Sequence, residues 1–90
     1  MVTISNRMIT EITREQENYF LTTVHMPNEN EEAEGIIRVI VSPQTVILDR
    51  EGVPLSASML CEGMMMDAVI SDAMTLSLPP QTTAYEIQVK

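Results

Sequence analysis

Two residues of this chain have side chains that often act as a base or a nucleophile: its single histidine, His25, and its single cysteine, Cys61. A histidine that activates a thiol must lie within hydrogen-bond reach of it. The two are far apart in sequence, and neither belongs to a spacing typical of a catalytic or metal-binding motif. We therefore expect His25 to be a half-exposed strand residue and Cys61 to be a buried core residue, and we predict no catalytic residue.

Acidic side chains offer a second kind of chemistry. The segment Asn28–Glu34 contains three glutamates besides Glu34 and could supply oxygens to a calcium ion. It lacks the alternating Asp/Asn pattern and central glycine of an EF-hand loop, so we interpret it as a solvated loop and leave cation binding open. Nothing in the sequence fixes the separation of Asp67 and Asp72 as a catalytic pair. The glycines are isolated turn residues, and we expect no metal and no cofactor.

An apolar connection near the end of the chain is better suited to contact a partner. Met74, Leu76 and Leu78 are apolar in a segment that should be polar, and Pro79-Pro80 stiffens it ahead of Gln81. We interpret these six residues as the candidate partner-binding site: Met74, Leu76, Leu78, Pro79, Pro80 and Gln81. The alternative is that the loop folds back and covers the open end of the domain.

These residues must be positioned by short β-elements, because β-branched and alternating apolar residues dominate the chain. Predicted strands cover residues 8–13, 19–26, 36–49 with an interruption at Pro43, 64–71 and 85–90. Ser56 is placed to cap a short helix over residues 57–61. The strand order, with a short helix between the third and fourth strands, predicts an all-β, five-stranded OB-like barrel. The alternatives are an open antiparallel sheet or a small sandwich, with residues 8–17 as an N-terminal helix.

Finer predictions follow from the alternation of side chains along each strand. Met64, Met66, Ala68 and Ile70 share one face, and Tyr85, Ile87 and Val89 share another. Residues 14–18 predict a hairpin loop of three to five residues. Residues 1–7 precede the first predicted strand and could be flexible. With eight methionines and only 3% aromatic residues, we expect a methionine-rich core.

Composition bounds the function. Ninety residues form one domain, residues 1–90. The net charge of −8, with five basic against 13 acidic residues, disfavours binding to nucleic acid or to an anionic membrane. One cysteine allows no intrachain disulfide, and the start of the chain shows no signal peptide. We therefore expect a cytoplasmic protein.

A family resemblance adds to this interpretation. The stretch Thr45–Ser56, followed by Leu60, Glu62-Gly63-Met64 and Asp67-Ala68, resembles uncharacterised OB-like barrel domains common in Gram-positive bacteria. In those domains a strand with a T-x-I core leads to a turn, and L-x-x-G opens the next strand. Met74–Ala84 resembles their proline-glutamine loop. The resemblance covers residues 8–90 and implies the barrel fold but no activity; many relatives are secreted or lipid-anchored.

We therefore expect a non-enzymatic binding or assembly module that contacts a protein partner or a second copy of itself. A small enzyme or ligand-binding barrel is the alternative, if His25, Cys61, Asp67 or Asp72 converge. A single-stranded nucleic-acid binder is a third hypothesis, but it would need a basic groove and stacking aromatics.

Overall fold

The computed structural model describes residues 1–26 and 35–90, which form a small β-barrel. The described residues contain six strands and one short 3-10 turn (Ala57–Met59). The strands are β1 (Val2–Glu15), β2 (Asn18–His25), β3 (Ile36–Val41), β4 (Val46–Leu48), β5 (Met65–Ile70) and β6 (Gln81–Val89). Ser56 caps the 3-10 turn by accepting a hydrogen bond from the Ser58 amide, as predicted, although the turn is shorter than the predicted helix.

Five of the strands close into a barrel in the order β3-β2-β1-β5-β6. Neighbours along this order are antiparallel. The barrel closes where β3 runs parallel to the start of β6, with Arg38 opposite Gln81 and Ile40 opposite Thr83. The prediction of a small all-β barrel is confirmed. The alternatives of an open sheet, or a sandwich with an N-terminal helix, are wrong.

The strand β1 explains why the helical alternative fails. Threonine and isoleucine are β-branched, and their restricted side chains favour the extended backbone over a helix. The strand begins at Val2, which pairs with Ile70. Residues 2–7 therefore belong to β1 and do not form a flexible segment before it. It ends at a two-residue turn, Gln16-Glu17, instead of a loop of three to five residues. Gln16 adopts φ +57°, and this left-handed conformation lets the chain reverse tightly.

The third predicted strand, residues 36–49, is two strands. After the turn at Pro43, β4 leaves the barrel wall and pairs in parallel with β6, with Ile47 opposite Ile87. It therefore lies beside β6 as an extra strand outside the closed ring.

A bulge in β6 changes which of its side chains point inward. Val69 pairs with Glu86, whereas Ile70 pairs with Ala84, so Tyr85 is the extra residue of the bulge. Ala84 and Ile87 are buried, and Tyr85 is 48% exposed. The prediction that Tyr85 shares a face with Ile87 is therefore wrong, because alternation is interrupted at Tyr85.

The core is aliphatic. Met66 is the only methionine among the fully buried core residues of the described chain, and Ala68 and Ile70 join it on the inner face of β5 as predicted. Met64 is half-buried at the edge of this cluster. The expectation of a methionine-rich core is wrong: Val, Ile and Leu from all six strands fill the interior, and the other methionines lie at or near the surface. The buried hydrophobic residues are Ile9, Leu21, Val39, Val41, Ile47, Leu60, Met66, Ala68, Ile70, Ala84 and Ile87.

One buried arginine joins three segments at one end of the barrel. Arg7 is only 5% exposed; its Nε donates to Thr23 Oγ1 (3.2 Å) and its Nη2 to the carbonyls of Thr23 (3.0 Å) and Gly35 (3.1 Å). Burial lowers the pKa of the guanidinium from its ordinary value. Thr23 extends the network to β3, since its hydroxyl donates to the carbonyl of Ile37 (2.9 Å). The network therefore ties β1, β2 and β3 together.

Replacing Thr23 with valine tests this network. T23V keeps the shape of the side chain but leaves Arg7 Nε and the Ile37 carbonyl without that partner, which should lower the free energy of unfolding by about 1–3 kcal/mol. Urea denaturation measures it. The matched control is T83V on the exposed side of β6, expected to change stability by no more than about 0.5 kcal/mol. Equal stability of T23V and the parent protein would contradict a structural role for the network.

Candidate functional site

The connection between β5 and β6, residues 71–80, carries the most exposed apolar side chains of the described chain. Leu76 is 101% and Leu78 is 96% exposed, and Met74 is partly exposed. Pro79, Pro80 and Gln81 are half-buried where the loop rejoins the barrel. The leucines do not fold back over the barrel, so the alternative of a covering loop does not describe them.

Hydrogen bonds at the base of the loop attach it to the barrel. The Thr82 hydroxyl, on a residue only 2% exposed, lies 3.0 Å from the carbonyls of both Ser71 and Ala73. The Ser71 amide donates to the carbonyl of Thr83 (2.9 Å). These contacts join the start of the loop to Thr82 and Thr83 at the start of β6.

A second set of hydrogen bonds shapes the outer part of the loop. The Thr75 amide donates to the carbonyl of Gln81 (2.9 Å), and the Gln81 amide donates to Thr75 Oγ1 (3.0 Å). Ser77 Oγ lies 2.6 Å from Thr75 Oγ1 and donates to the carbonyl of Pro79 (3.0 Å). Polar contacts therefore set the shape of the loop, and its leucines contribute nothing to the core.

Further exposed apolar residues flank the two ends of this loop. Val2 pairs with Ile70, directly before the loop, and the amino terminus of Met1 lies 3.0 Å from Asp72. On the other side, the Arg38 amide donates to the carbonyl of Pro80, which places Ile36 near the end of the loop. We call the exposed set formed by these residues the apolar end: Met1, Val2, Ile36, Met74, Leu76 and Leu78.

The two candidate catalytic residues do not form a pair. His25 is half-buried at the end of β2, opposite Arg7. Cys61 is exposed in the turn before β5, and its thiol faces the carbonyl of Met59 (3.6 Å). The expectation of a buried Cys61 is wrong, because Leu60 beside it points into the core in its place. No hydrogen bond joins His25 to Cys61 in the part of the chain that the structure describes.

The aspartates have separate partners. Asp67 Oδ1 accepts from the Asn6 amide (2.9 Å) and lies 3.4 Å from Lys90 Nζ, whereas Asp72 lies beside Met1. They therefore do not form a catalytic pair. The acidic segment Asn28–Glu34 lies outside the described residues. Within residues 1–26 and 35–90, no group of three or more His, Cys, Asp and Glu side chains could hold a metal ion.

Sequence reasoning missed a hollow on the outside of the barrel. It has a volume of about 320 Å³ and is lined by Arg50, Asp67, Gln88, Val89 and Lys90. Parallel pairing puts Leu48 opposite Gln88, so the next outward residues, Arg50 and Lys90, lie beside each other. Lys90 also donates to Asn6 Oδ1 (2.6 Å). No sequence signal could find this hollow, because it depends on which strands are neighbours.

Removing the Thr82 hydroxyl tests how the loop is held. T82V should lower the free energy of unfolding by about 1–3 kcal/mol, since it removes the buried hydroxyl whose single proton is shared by two loop carbonyls. It should also speed amide hydrogen exchange in residues 71–75, measured by mass spectrometry. The amides of β2 and β3 should remain slow to exchange relative to the rest of the chain. The adjacent exposed substitution T83V is the control. Unchanged exchange in T82V would show that the loop is held by something else.

Comparisons with known proteins place this chain in no established group. No family model, no curated protein and no solved structure matches it. Among the residues that the structure describes, none forms a helix with the length and apolar character needed to cross a bilayer.

Proposed function

We propose that this chain is a non-enzymatic binding module that docks a protein partner through its apolar end. The observation that carries the proposal is the full exposure of Leu76 and Leu78 on a loop shaped by polar hydrogen bonds. A loop that folded its leucines inward would stabilise the barrel. This loop holds them in solvent, where they cost free energy until another surface covers them.

Burial of these leucines could supply a substantial binding energy. A leucine side chain transferred from water to an apolar surface contributes roughly 1.5–3 kcal/mol. Two adjacent leucines on a preformed loop lose little conformational freedom on binding, so most of that energy remains available for affinity. The apolar end is thus suited to enter a groove of a partner as a small cluster of dominant contacts.

The charge of the chain favours a partner that is neutral or basic. With a net charge of −8, two copies repel each other, whereas a basic protein is attracted and steered toward the complex. We therefore propose a different protein as the partner, in preference to a second copy. The single cysteine is consistent with a reducing compartment such as the cytoplasm.

The fold supports a binding role. Around the closed ring the strands run β1, β2, β3, β6, β5 and back to β1. This is the strand order of OB-type barrels. Those barrels bind their ligands with strand faces and the loops beside them. Nucleic acid remains disfavoured as the ligand because of the acidic charge.

The double substitution L76S/L78S tests the proposal. The immobilised parent protein is exposed to a lysate of the native host, and the proteins that it retains are identified. A partner found in this way should bind the variant with a dissociation constant higher by about tenfold or more for each leucine. Binding to the parent should also weaken as salt is raised, as expected for a basic partner.

The control is V53S, which removes a half-exposed apolar side chain from the turn after β4, outside the apolar end. It should bind the partner like the parent, and urea denaturation should show all three proteins folded. A partner that binds L76S/L78S as tightly as the parent would overturn the proposal. A dimer seen by sedimentation and dispersed by L76S/L78S would replace the proposed partner with a second copy.

A further inference from the structure

The sulfur atoms of this chain are concentrated in one short segment. Residues 59–66 contain the only cysteine and four of the eight methionines. Of these, only Met66 is fully buried in the core; Met59 is 56% exposed, Cys61 is exposed and Met64 is half-buried. Core packing therefore explains Met66, and Met65 is half-buried at the start of β5; the other three sulfur side chains, Met59, Cys61 and Met64, lie in the turn before that strand. We call these three the sulfur cluster.

The turn holds the sulfurs of Cys61 and Met64 against the same stretch of backbone. The Met64 amide donates to the carbonyl of Cys61 (3.2 Å), and Gly63 between them adopts φ +91°. As a result, Met64 Sδ lies 3.4 Å from the Cys61 amide nitrogen. The Cys61 thiol in turn lies 3.6 Å from the carbonyl of Met59. The sulfurs of Cys61 and Met64 thus both lie against the backbone between Met59 and Cys61.

The turn is also attached to the barrel on both sides. The Gly63 amide donates to the carbonyl of Ile9 (2.7 Å), and the Ile9 amide donates to the carbonyl of Met64 (2.9 Å). Leu60 is buried and anchors the other side. The backbone that carries the sulfur cluster is therefore held by the core, while the side chains of Met59 and Cys61 are open to solvent.

We infer that the sulfur cluster is a binding site for a soft monovalent metal ion, with Cu(I) as the ligand. One thiolate and two thioethers are the donors that select Cu(I) over harder ions. The cluster includes no histidine and no aspartate, and the described residues offer no competing group of hard ligands. Methionine is flexible, so Met59 and Met64 can turn their sulfurs to the ion without moving the backbone.

Binding needs one covalent change. The Cys61 thiol releases its proton to solvent, and the thiolate sulfur forms a bond to Cu(I). The thioether sulfurs of Met59 and Met64 each donate a lone pair to the ion, and they have no proton to release. No electron is transferred, because the ion enters and remains in its reduced state. The thiolate neutralises the single positive charge of the ion, so the loaded site carries no added charge.

Titration with Cu(I) under anaerobic, reducing conditions tests the inference. The parent protein should remove one Cu(I) per chain from a chromophoric Cu(I) chelator. C61S should abolish this transfer, and M59L and M64L should each raise the dissociation constant by about tenfold or more. Leucine matches methionine in volume, so both variants should keep the fold. Circular dichroism and urea denaturation check this.

The control is M74L, which removes an exposed methionine from the loop between β5 and β6 and should leave Cu(I) binding unchanged. A second readout uses Ag(I), which has similar coordination and no redox chemistry: the methyl NMR signals of Met59 and Met64 should shift and that of Met74 should not. Equal affinity of M59L, M64L and the parent would overturn the site, since the cysteine alone would then account for binding. Retention of Cu(I) by C61S would overturn it as well.

Discussion

The barrel depends on how β6 divides one of its edges between two strands. Residues 81–83 pair with β3 and close the ring, whereas residues 86–88 pair with β4. The bulge at Tyr85 separates the two halves and turns the strand so that Ala84 and Ile87 both point inward. Without this division, either the ring would stay open or β4 would have no partner, and an unpaired edge strand tends to pair with other chains.

The closed ring fixes the surroundings of the loop, the outer hollow and the sulfur cluster. The start of β6 carries Thr82, which holds the loop of Leu76 and Leu78, so barrel closure and loop shape share one short stretch of chain. The end of β6 brings Gln88 and Lys90 beside β4 and forms the outer hollow. In β1, the backbone of Ile9 forms hydrogen bonds with Gly63 and Met64 and so holds the turn that carries Cys61. Each site is therefore attached to a strand of the closed ring.

Sequence patterns within a segment predicted the strands and the faces that depend on that segment alone. β-branched residues predicted β1, β2 and β3, and alternation predicted that Met66, Ala68 and Ile70 face inward. The face of Tyr85 could not be predicted, because the bulge depends on pairing with β5. The hollow beside Arg50 and Lys90 depends on a parallel contact between residues distant in sequence. Such contacts leave no periodic signal in either segment.

The same distinction applies to the candidate sites. Met74, Leu76 and Leu78 were identified from sequence because apolar residues in a proline-stiffened connection stand out against their context. Their exposure depends on Thr75, Ser77 and Thr82, whose hydroxyls have no recognisable motif. Cys61 was expected inside because cysteine is often buried. The structure places Leu60 inside. In a short turn without periodic alternation, the sequence pattern does not indicate which of two neighbouring residues is buried.

The guanidinium of Arg7 has a consequence for how this fold can diversify. It bonds the carbonyls of Thr23 and Gly35, which stand on either side of the connection between β2 and β3. Both stems of that connection are thus clamped to β1 by one side chain. Because lengthening a connection between two fixed ends adds little closure entropy, we expect the scaffold to keep its register when segments of other lengths and chemistries join Met26 to Gly35.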